Sequence, residues 1–172
     1  MRLLSEITNT PTGNDDAARY HLGIERLLTA LFYPALCFPK REQHIHEGRK
    51  RIDIVFVNTD SRGFFFWASS HYPASHVFVE CKNYTGDPAN PELDQLSGRF
   101  SPSRGQLGLL VCRRLANKEL FIRRCRDTAL DQRGYVLPLD DSDLADLVAA
   151  RKDGDEARLF VLLKERFDHL VM

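Results

Sequence analysis

The sequence predicts a single α/β (α+β) domain in which a mixed central β-sheet is flanked by helices. Three observations support this fold class. An amphipathic helical segment comes first, apolar β-branched segments follow it, and helical and strand segments then alternate along the chain. The 172 residues match the size of one domain, and no repeat or long linker divides residues 1–172.

The first helix is predicted over residues 15–33. Asn14 is a suitable N-cap, and the acidic Asp15 and Asp16 follow it near the positive end of the helix dipole. Leucine and isoleucine then recur at three- and four-residue spacing, which predicts one apolar face. Pro34 ends the helix because proline cannot continue it.

The later elements follow from apolar patterns bounded by Gly, Pro, Asn and Asp. Residues 51–58 are nearly all apolar and β-branched, as in a strand that is buried on both faces. The predicted strands are residues 43–47, 51–58, 64–68, 75–83, 107–113 and 135–139. The predicted later helices are residues 91–100, 117–133, 143–151 and 156–170.

Charge is balanced overall but uneven along the chain. The 24 basic and 24 acidic residues give a net charge of zero, which argues against a general polyanion binder. Residues 99–126 nevertheless contain eight basic residues and one acidic residue, whereas residues 127–156 contain three basic and nine acidic residues. A phosphate-binding face with an acidic face turned away from it explains this asymmetry, and so do ordinary solvated helix surfaces.

Apolar runs and cysteine spacing indicate the cellular compartment. No apolar run approaches the roughly 20 residues that cross a bilayer, and residues 1–12 lack a signal-peptide pattern. We therefore expect a soluble, cytoplasmic protein without a membrane partner. The four cysteines are widely spaced and form no zinc-site pattern, so buried free thiols are expected.

The predicted strand at residues 75–83 carries a carboxylate and an amine on one face. Successive side chains of a strand point to opposite faces, so Glu80 and Lys82 stand together. Val79 and Cys81 belong to the apolar face on the other side.

Asp53 lies in the middle of the preceding apolar strand, where an unpaired charge is costly to bury. If the two strands pair, Asp53 and Glu80 approach each other, and two carboxylates about 4 Å apart repel by roughly 4 kcal/mol at an effective dielectric of about 20. A divalent cation removes this repulsion, and Mg²⁺ prefers such hard oxygen ligands. With Lys82 nearby, the group matches a phosphodiester-cleaving metal site. A plain ion pair of Lys82 with either carboxylate explains the same residues equally well.

Two short segments carry a family resemblance. Arg-Ile-Asp-Ile-Val at 51–55, followed by Val-Glu-Cys-Lys-Asn-Tyr at 79–84, resembles the active-site signature of the PD-(D/E)xK, or restriction-endonuclease-like, nuclease superfamily. Ile52 stands where some members have proline. An acid-bearing helix precedes the signature, a Gln-Leu pair at 95–96 begins the helix after it, and the similarity covers roughly residues 17–114. The resemblance implies a restriction-endonuclease-like core.

The resemblance also implies roles for individual residues. Asp53 and Glu80 are expected to bind the metal, with the Cys81 carbonyl as a further ligand. Lys82 is expected to position or deprotonate the attacking water and to stabilise charge at the phosphorus.

Two residues outside the signature strands complete the implied site. Glu25 occupies the place of the family's helical acid, which contacts a second metal or its waters. Gln95 matches the polar residue that orients the lysine or the backbone phosphate.

The activity implied by the resemblance is metal-dependent endonucleolytic hydrolysis of DNA to a 5′-phosphate and a 3′-hydroxyl. The expected cofactor is Mg²⁺, with Mn²⁺ as a substitute, and the expected partners are DNA and either a second copy of the chain or a targeting protein. Phage defence, restriction and repair are the roles this activity suggests by analogy. RNA remains an alternative substrate.

Residues that follow the signature are candidates for nucleic-acid contacts, because sugar and phosphate contacts dominate such interfaces. A plain connecting loop explains residues 83–88 equally well. The expected contact residues are Asn83, Tyr84, Arg99, Ser103, Arg104, Arg113 and Arg114.

Three further interpretations stay open. The aromatic residues at 64–67 are interpreted as core residues in preference to a surface that stacks on bases. His44 and His46, or His21 with Glu25, have the spacing to hold a softer metal, but two ligands do not complete a site and ordinary histidines are favoured. The rival to the nuclease is a non-catalytic nucleic-acid-binding or assembly domain with Glu80 and Lys82 merely paired.

Overall fold

The computed structural model describes residues 2–45, 47 and 50–172. The helices are α1 (Arg2–Thr8), α2 (Ala17–Phe32), α3 (Phe64–His71), α4 (Asn90–Ser97), α5 (Lys118–Leu130), α6 (Asp141–Lys152) and α7 (Glu156–Val171). The strands are β1 (Leu36–Ile45), β2 (Lys50–Asn58), β3 (His76–Lys82), β4 (Leu107–Cys112) and β5 (Tyr135–Leu139). Within these described ranges, no helix combines the length and apolar character needed to span a membrane.

The five strands form one mixed sheet in the order β1-β2-β3-β4-β5. Strands β1, β2 and β3 pair antiparallel, whereas β3, β4 and β5 pair parallel. Helix α2 packs against β1, β2 and β3, and α4 packs against β3, β4 and β5. The predicted mixed α/β architecture, a sheet flanked by helices, is confirmed.

The faces of β3 follow the predicted alternation. The Phe78 ring lies 5.6 Å from the ring of Phe100, which follows α4, and Lys82 reaches Gln95 within α4. Because side chains alternate along a strand, Glu80 lies on this α4 side as well. The chemistry-bearing side chains of β3 therefore share one face of the sheet.

The strand expected at residues 64–68 is wrong, because this segment belongs to helix α3. Gly63 precedes the helix with a φ of 85°, a value that glycine adopts without strain. Phe64 and Phe65 are buried in the core, as predicted for the aromatic run, whereas Phe66 is 46% exposed. The error has a physical reason, since periodicity alone cannot assign so short an apolar run to a strand or a helix.

The first strand begins at Leu36, earlier than the strand predicted at residues 43–47. Its register with β2 shifts between Cys37 and Lys40, so Pro39 lies in an irregular stretch of an edge strand. Proline is tolerated there because it removes no hydrogen bond from a regular ladder. Helix α1 was not anticipated from the sequence at all.

Replacing Asp140 by alanine is expected to lower the free energy of unfolding by about 1–2 kcal/mol. Asp140 is the N-cap of α6, where its Oδ1 accepts hydrogen bonds from the backbone amides of Ser142 and Asp143. Its other oxygen lies 3.0 Å from Lys118 Nζ. Burial alone would raise the pKa of Asp140, but hydrogen bonds from the Ser142 hydroxyl, the Asp143 amide and Lys118 outweigh it and lower the pKa to about 2. Chemical denaturation measures the loss.

The charge of Asp140 also predicts a pH dependence. Its contribution is fully present above the ordinary pKa of 3.8 and is lost as the pH falls towards 2. Asp140→Asn keeps a good N-cap acceptor and removes the charge, so it should retain most of the stability at neutral pH and lose this acid dependence. Equal losses in the alanine and asparagine variants would contradict the capping role.

Candidate active site

The candidate site lies at a fork in the sheet, where β2 and β3 stop pairing. The register between these strands ends at Ile54 with Val79, although both strands continue past that pair. Asp53 lies just beyond it, and its Oδ2 accepts a hydrogen bond from the Cys81 amide at 2.9 Å. A side-chain carboxylate thus occupies the gap that opens between the two strands.

Glu80 is the most deeply buried acid of the site, with 1% of its surface exposed. Its Oε1 accepts a hydrogen bond from Lys82 Nζ at 2.9 Å. Its Oε2 is buried and has no hydrogen-bond partner among the residues that the structure describes. Burial and the nearby Asp53 carboxylate raise the pKa of Glu80. An orphaned buried carboxylate oxygen costs free energy, and a bound cation would remove that cost.

Lys82 joins Glu80 to the helix on the same face. Its ammonium also donates to Gln95 Oε1 at 3.3 Å, and its side chain is 15% exposed. Gln95 is carried by α4, whose first turn is fixed by a hydrogen bond from the Ala89 amide to the Glu92 carboxylate. The structure therefore brings Glu80, Lys82 and Gln95 together, as the sequence predicts.

His21 also lies at the site, next to Asp53. Its Nε2 lies 3.9 Å from Asp53 Oδ2, and burial lowers its pKa although Asp53 acts in the opposite direction. A sequence pattern could have revealed this position. His21 has helical spacing with Ile24 and Leu28, which are fully buried, so it lies on the inward face of α2.

A metal ion could be bound here. Three side-chain atoms lie within 4.8 Å of one another: an imidazole nitrogen of His21, a carboxylate oxygen of Asp53 and the Sγ of Cys81. The Cys81 carbonyl leaves its strand on the same side as the Cys81 amide, that is, towards Asp53. These three residues could hold a metal ion, and the buried, unpartnered Glu80 Oε2, which is not part of that group, is a further oxygen donor on the neighbouring residue of β3.

Glu25 was predicted to belong to the site, but it is not part of the group formed by His21, Asp53 and Cys81. Its Oε2 forms an ion pair with Arg41 Nε of β1 at 2.7 Å. The charge of Glu25 is therefore already compensated one helical turn away from His21, which is the α2 side chain that contacts Asp53.

Three expected nucleic-acid contacts are instead structural, because their polar groups are used inside the protein. Asn83 is buried, and its side-chain amide donates to the carbonyls of Pro11 and Gly13. Arg99 is also buried and donates to backbone carbonyls of Arg51 and Gln95.

Arg113 is the third of these. Its guanidinium donates to Asp141 and to the carbonyls of Thr8 and Thr10. Together with Asn83 it fastens the N-terminal segment to the end of β3. The sequence pattern could not reveal this role because the partner carbonyls lie about one hundred residues away in the chain, a separation that periodicity does not report.

The other expected contacts differ in accessibility. Ser103 and Arg114 are exposed. Tyr84 is partly buried, and burial together with a hydrogen bond to Glu92 raises its pKa. Arg104 is partly buried and lines a cavity on the sheet.

The basic and acidic segments contact each other, so the idea of two faces turned apart is not supported. Lys118 Nζ lies 2.9 Å from Asp143 and 3.0 Å from Asp140. Arg113 pairs with Asp141 at 3.0 Å. Two of the eight basic residues at 99–126 are thus paired with three acidic residues of the following segment.

The remaining candidate metal residues do not form a cluster in the described ranges. His44 is exposed on β1, and His46 lies outside the described residues. Cys37, Cys81, Cys112 and Cys125 are free, with the last three buried, which confirms the expected thiols.

Comparisons with known proteins do not identify a family. A scan against protein-family models, a search of curated proteins and a search of solved structures each find no match. The nuclease resemblance therefore rests on the residues of this chain.

Proposed function

We propose that this protein is a metal-dependent endonuclease that hydrolyses phosphodiester bonds in DNA, with a restriction-endonuclease-like core. The observation that carries the proposal is the buried Oε2 of Glu80, which has no partner among the described residues and lies near Asp53. Lys82 pairs with Glu80, and Arg51 Nη2 lies 3.9 Å from Asp53 Oδ1, yet Glu80 Oε2 is left without a partner in the described part of the chain. A divalent cation satisfies that oxygen, and the donor set of carboxylates, a backbone carbonyl and water suits Mg²⁺, with Mn²⁺ as a substitute.

The proposed mechanism assigns one task to each side chain. Asp53 and Glu80 would hold the cation, which when bound would supply Lewis-acid charge at the phosphate and lower the pKa of water. Lys82 orients the attacking water and stabilises the negative charge that develops on the phosphoryl oxygens. Gln95 holds Lys82 in place through its 3.3 Å hydrogen bond. The water oxygen bonds to phosphorus and gives up a proton to solvent, the bond between phosphorus and the 3′-oxygen breaks, and that oxygen takes up a proton from solvent, so that water is consumed and no net proton is gained or lost in this exchange.

The balanced charge favours modest affinity for DNA. The net charge is zero, and several basic side chains are paired within the fold. Because phosphate contacts supply most non-specific affinity, we propose that a second copy of the chain or a targeting partner increases residence on DNA. Defence against phage, restriction and repair are the roles proposed for such an activity in the cytoplasm.

A second candidate is a nucleic-acid-binding or assembly domain without catalysis. The direct 2.9 Å ion pair between Glu80 and Lys82 favours it, because that pair already satisfies the ammonium. The two candidates differ in their response to metal.

Cleavage assays test the proposal. Supercoiled plasmid, linear duplex, single-stranded DNA and RNA are incubated with pure protein in Mg²⁺, Mn²⁺ or EDTA. We expect DNA cutting in either metal and none in EDTA, with 5′-phosphate ends. Cutting of RNA alone would change the substrate class. No cutting under any condition, together with no effect of metal on thermal stability, would favour the non-catalytic domain.

A further inference from the structure

An exposed aromatic side chain stands on β1, the strand that pairs with β2. Phe38 is 70% exposed, and its backbone has a φ of 51°. That left-handed conformation is strained for a bulky residue. It lies in the stretch where the register between β1 and β2 shifts. Such irregularities re-aim side chains and are over-represented next to active sites.

Phe38 borders a cavity of about 250 Å³ on the sheet. This is smaller than the roughly 300–1,000 Å³ typical of pockets for drug-sized ligands, and it suits a single planar ring system. Its apolar lining includes Val55, Val57 and Phe78, and its basic lining includes Lys40 and Arg104.

The cavity is adjacent to the candidate active site. Val55 and Phe78 are register partners, and each lies two residues from an acid of the site, Asp53 and Glu80 respectively. Two residues of a strand span about 7 Å. Side chains two apart share a face, so this part of the cavity lining and the two acids lie on the same side of the sheet.

The cavity is also positively charged. Lys40 is exposed and makes no ion pair within the described part of the chain. Arg104 uses one guanidinium nitrogen to donate to the Arg99 carbonyl, and its buried Nε has no hydrogen-bond partner in the described ranges. The apolar lining and the exposed Phe38 ring suit a nucleobase, and the two basic side chains suit the phosphates on either side of it.

We propose that this cavity binds one unstacked base of a single-stranded DNA segment, with Phe38 stacked on the base and Lys40 and Arg104 facing the adjoining phosphates. The inference rests on the proposed function, and it names single-stranded DNA as the form bound next to the scissile phosphate. Aromatic stacking is tolerant of sequence because every base presents a π-face, so little sequence preference is expected at this position.

Oligonucleotide binding in EDTA tests this inference without cleavage. Fluorescence anisotropy is measured with a fluorescein-labelled oligodeoxythymidylate of about 12 nucleotides, an abasic strand of equal length, and a DNA hairpin. Phe38→Ala is expected to weaken binding of the oligodeoxythymidylate by about 5- to 150-fold, and Phe38→Trp to preserve it. The abasic strand and the hairpin should change little. Phe66→Ala is the matched control, because Phe66 is 46% exposed on α3 and does not line the cavity.

The outcomes separate this inference from the proposed function. Unchanged binding of the oligodeoxythymidylate by Phe38→Ala overturns it, even if the wild type cuts DNA. An equal loss for the hairpin also overturns it, because the cavity would then take a base flipped from a duplex. A selective loss in a protein that cuts nothing keeps the binding site and rejects the nuclease. Equal melting temperatures for Phe38→Ala and the wild type exclude unfolding as the cause.

Discussion

Lys82→Met is expected to lower the rate of metal-dependent DNA cleavage by about a thousandfold while leaving the stabilisation by Mg²⁺ in place. A positioned acid–base group contributes roughly 10²–10⁴-fold, and a donor to a developing oxyanion roughly 10²–10³-fold. Lys82 is the ammonium that the fold holds at the fork, through Glu80 and Gln95. Methionine preserves much of its length and removes the charge. The nicking rate of supercoiled plasmid and the melting temperature in Mg²⁺ are the measurements.

Lys152→Met is the matched control for the loss of a lysine charge. Lys152 is exposed in the last turn of α6, far from Glu80 in the sequence, and is expected to leave cleavage unchanged. Cleavage that survives in Lys82→Met at the wild-type rate would remove Lys82 from the mechanism. A loss of the Mg²⁺ response together with cleavage would instead assign Lys82 to the integrity of the metal site.

Asp53→Asn is expected to abolish the rise in melting temperature that Mg²⁺ gives the wild type. A ligand at about 100 times its Kd stabilises a protein by about 2.7 kcal/mol. For a chain of this size this corresponds to roughly 5–10 °C. Asparagine keeps an oxygen that can accept the Cys81 amide, so the fork can persist without the charge that binds a cation. Thermal unfolding in Mg²⁺ and in EDTA measures both states, and cleavage should be lost in parallel.

Cys81→Ala separates hard-metal binding through oxygen from binding through sulfur. Its thiol is one of the atoms near His21 and Asp53, but the Mg²⁺ ligands proposed for Cys81 belong to its backbone. The alanine variant should therefore retain the Mg²⁺ response. If Asp53→Asn keeps the full response, Asp53 does not bind the ion.

Most of the fold was predictable because its strands carry their apolar pattern locally. The segments of β2, β3, β4 and β5 were predicted to within about two residues, and so was α7. Helix α3 was not, since an apolar run of aromatic residues is compatible with either state. The early start of β1 was missed because Pro39 is a poor strand residue outside an irregular edge.

The site was predictable where it depends on strand alternation and less so where it depends on distant packing. Glu80 and Lys82 share a face because they lie two residues apart on one strand, which the sequence alone shows. Asn83 and Arg113 were predicted to contact nucleic acid. Their actual partners are carbonyls of the N-terminal segment, which is too distant in the sequence for a local pattern to reveal. Phe38 was missed since its exposure follows from a register shift that no local pattern reports.

The fork between β2 and β3 gives the sheet a seam. Four register pairs, from Ile54–Val79 to Val57–His76, join the antiparallel half to the parallel half. Asp53 belongs to one half and Glu80 to the other. An ion held by both acids would bridge β2 and β3 and would slow the local opening that lets backbone amides exchange with solvent. The rigidity of the molecule and the readiness of its chemistry would then depend on the same bound cation.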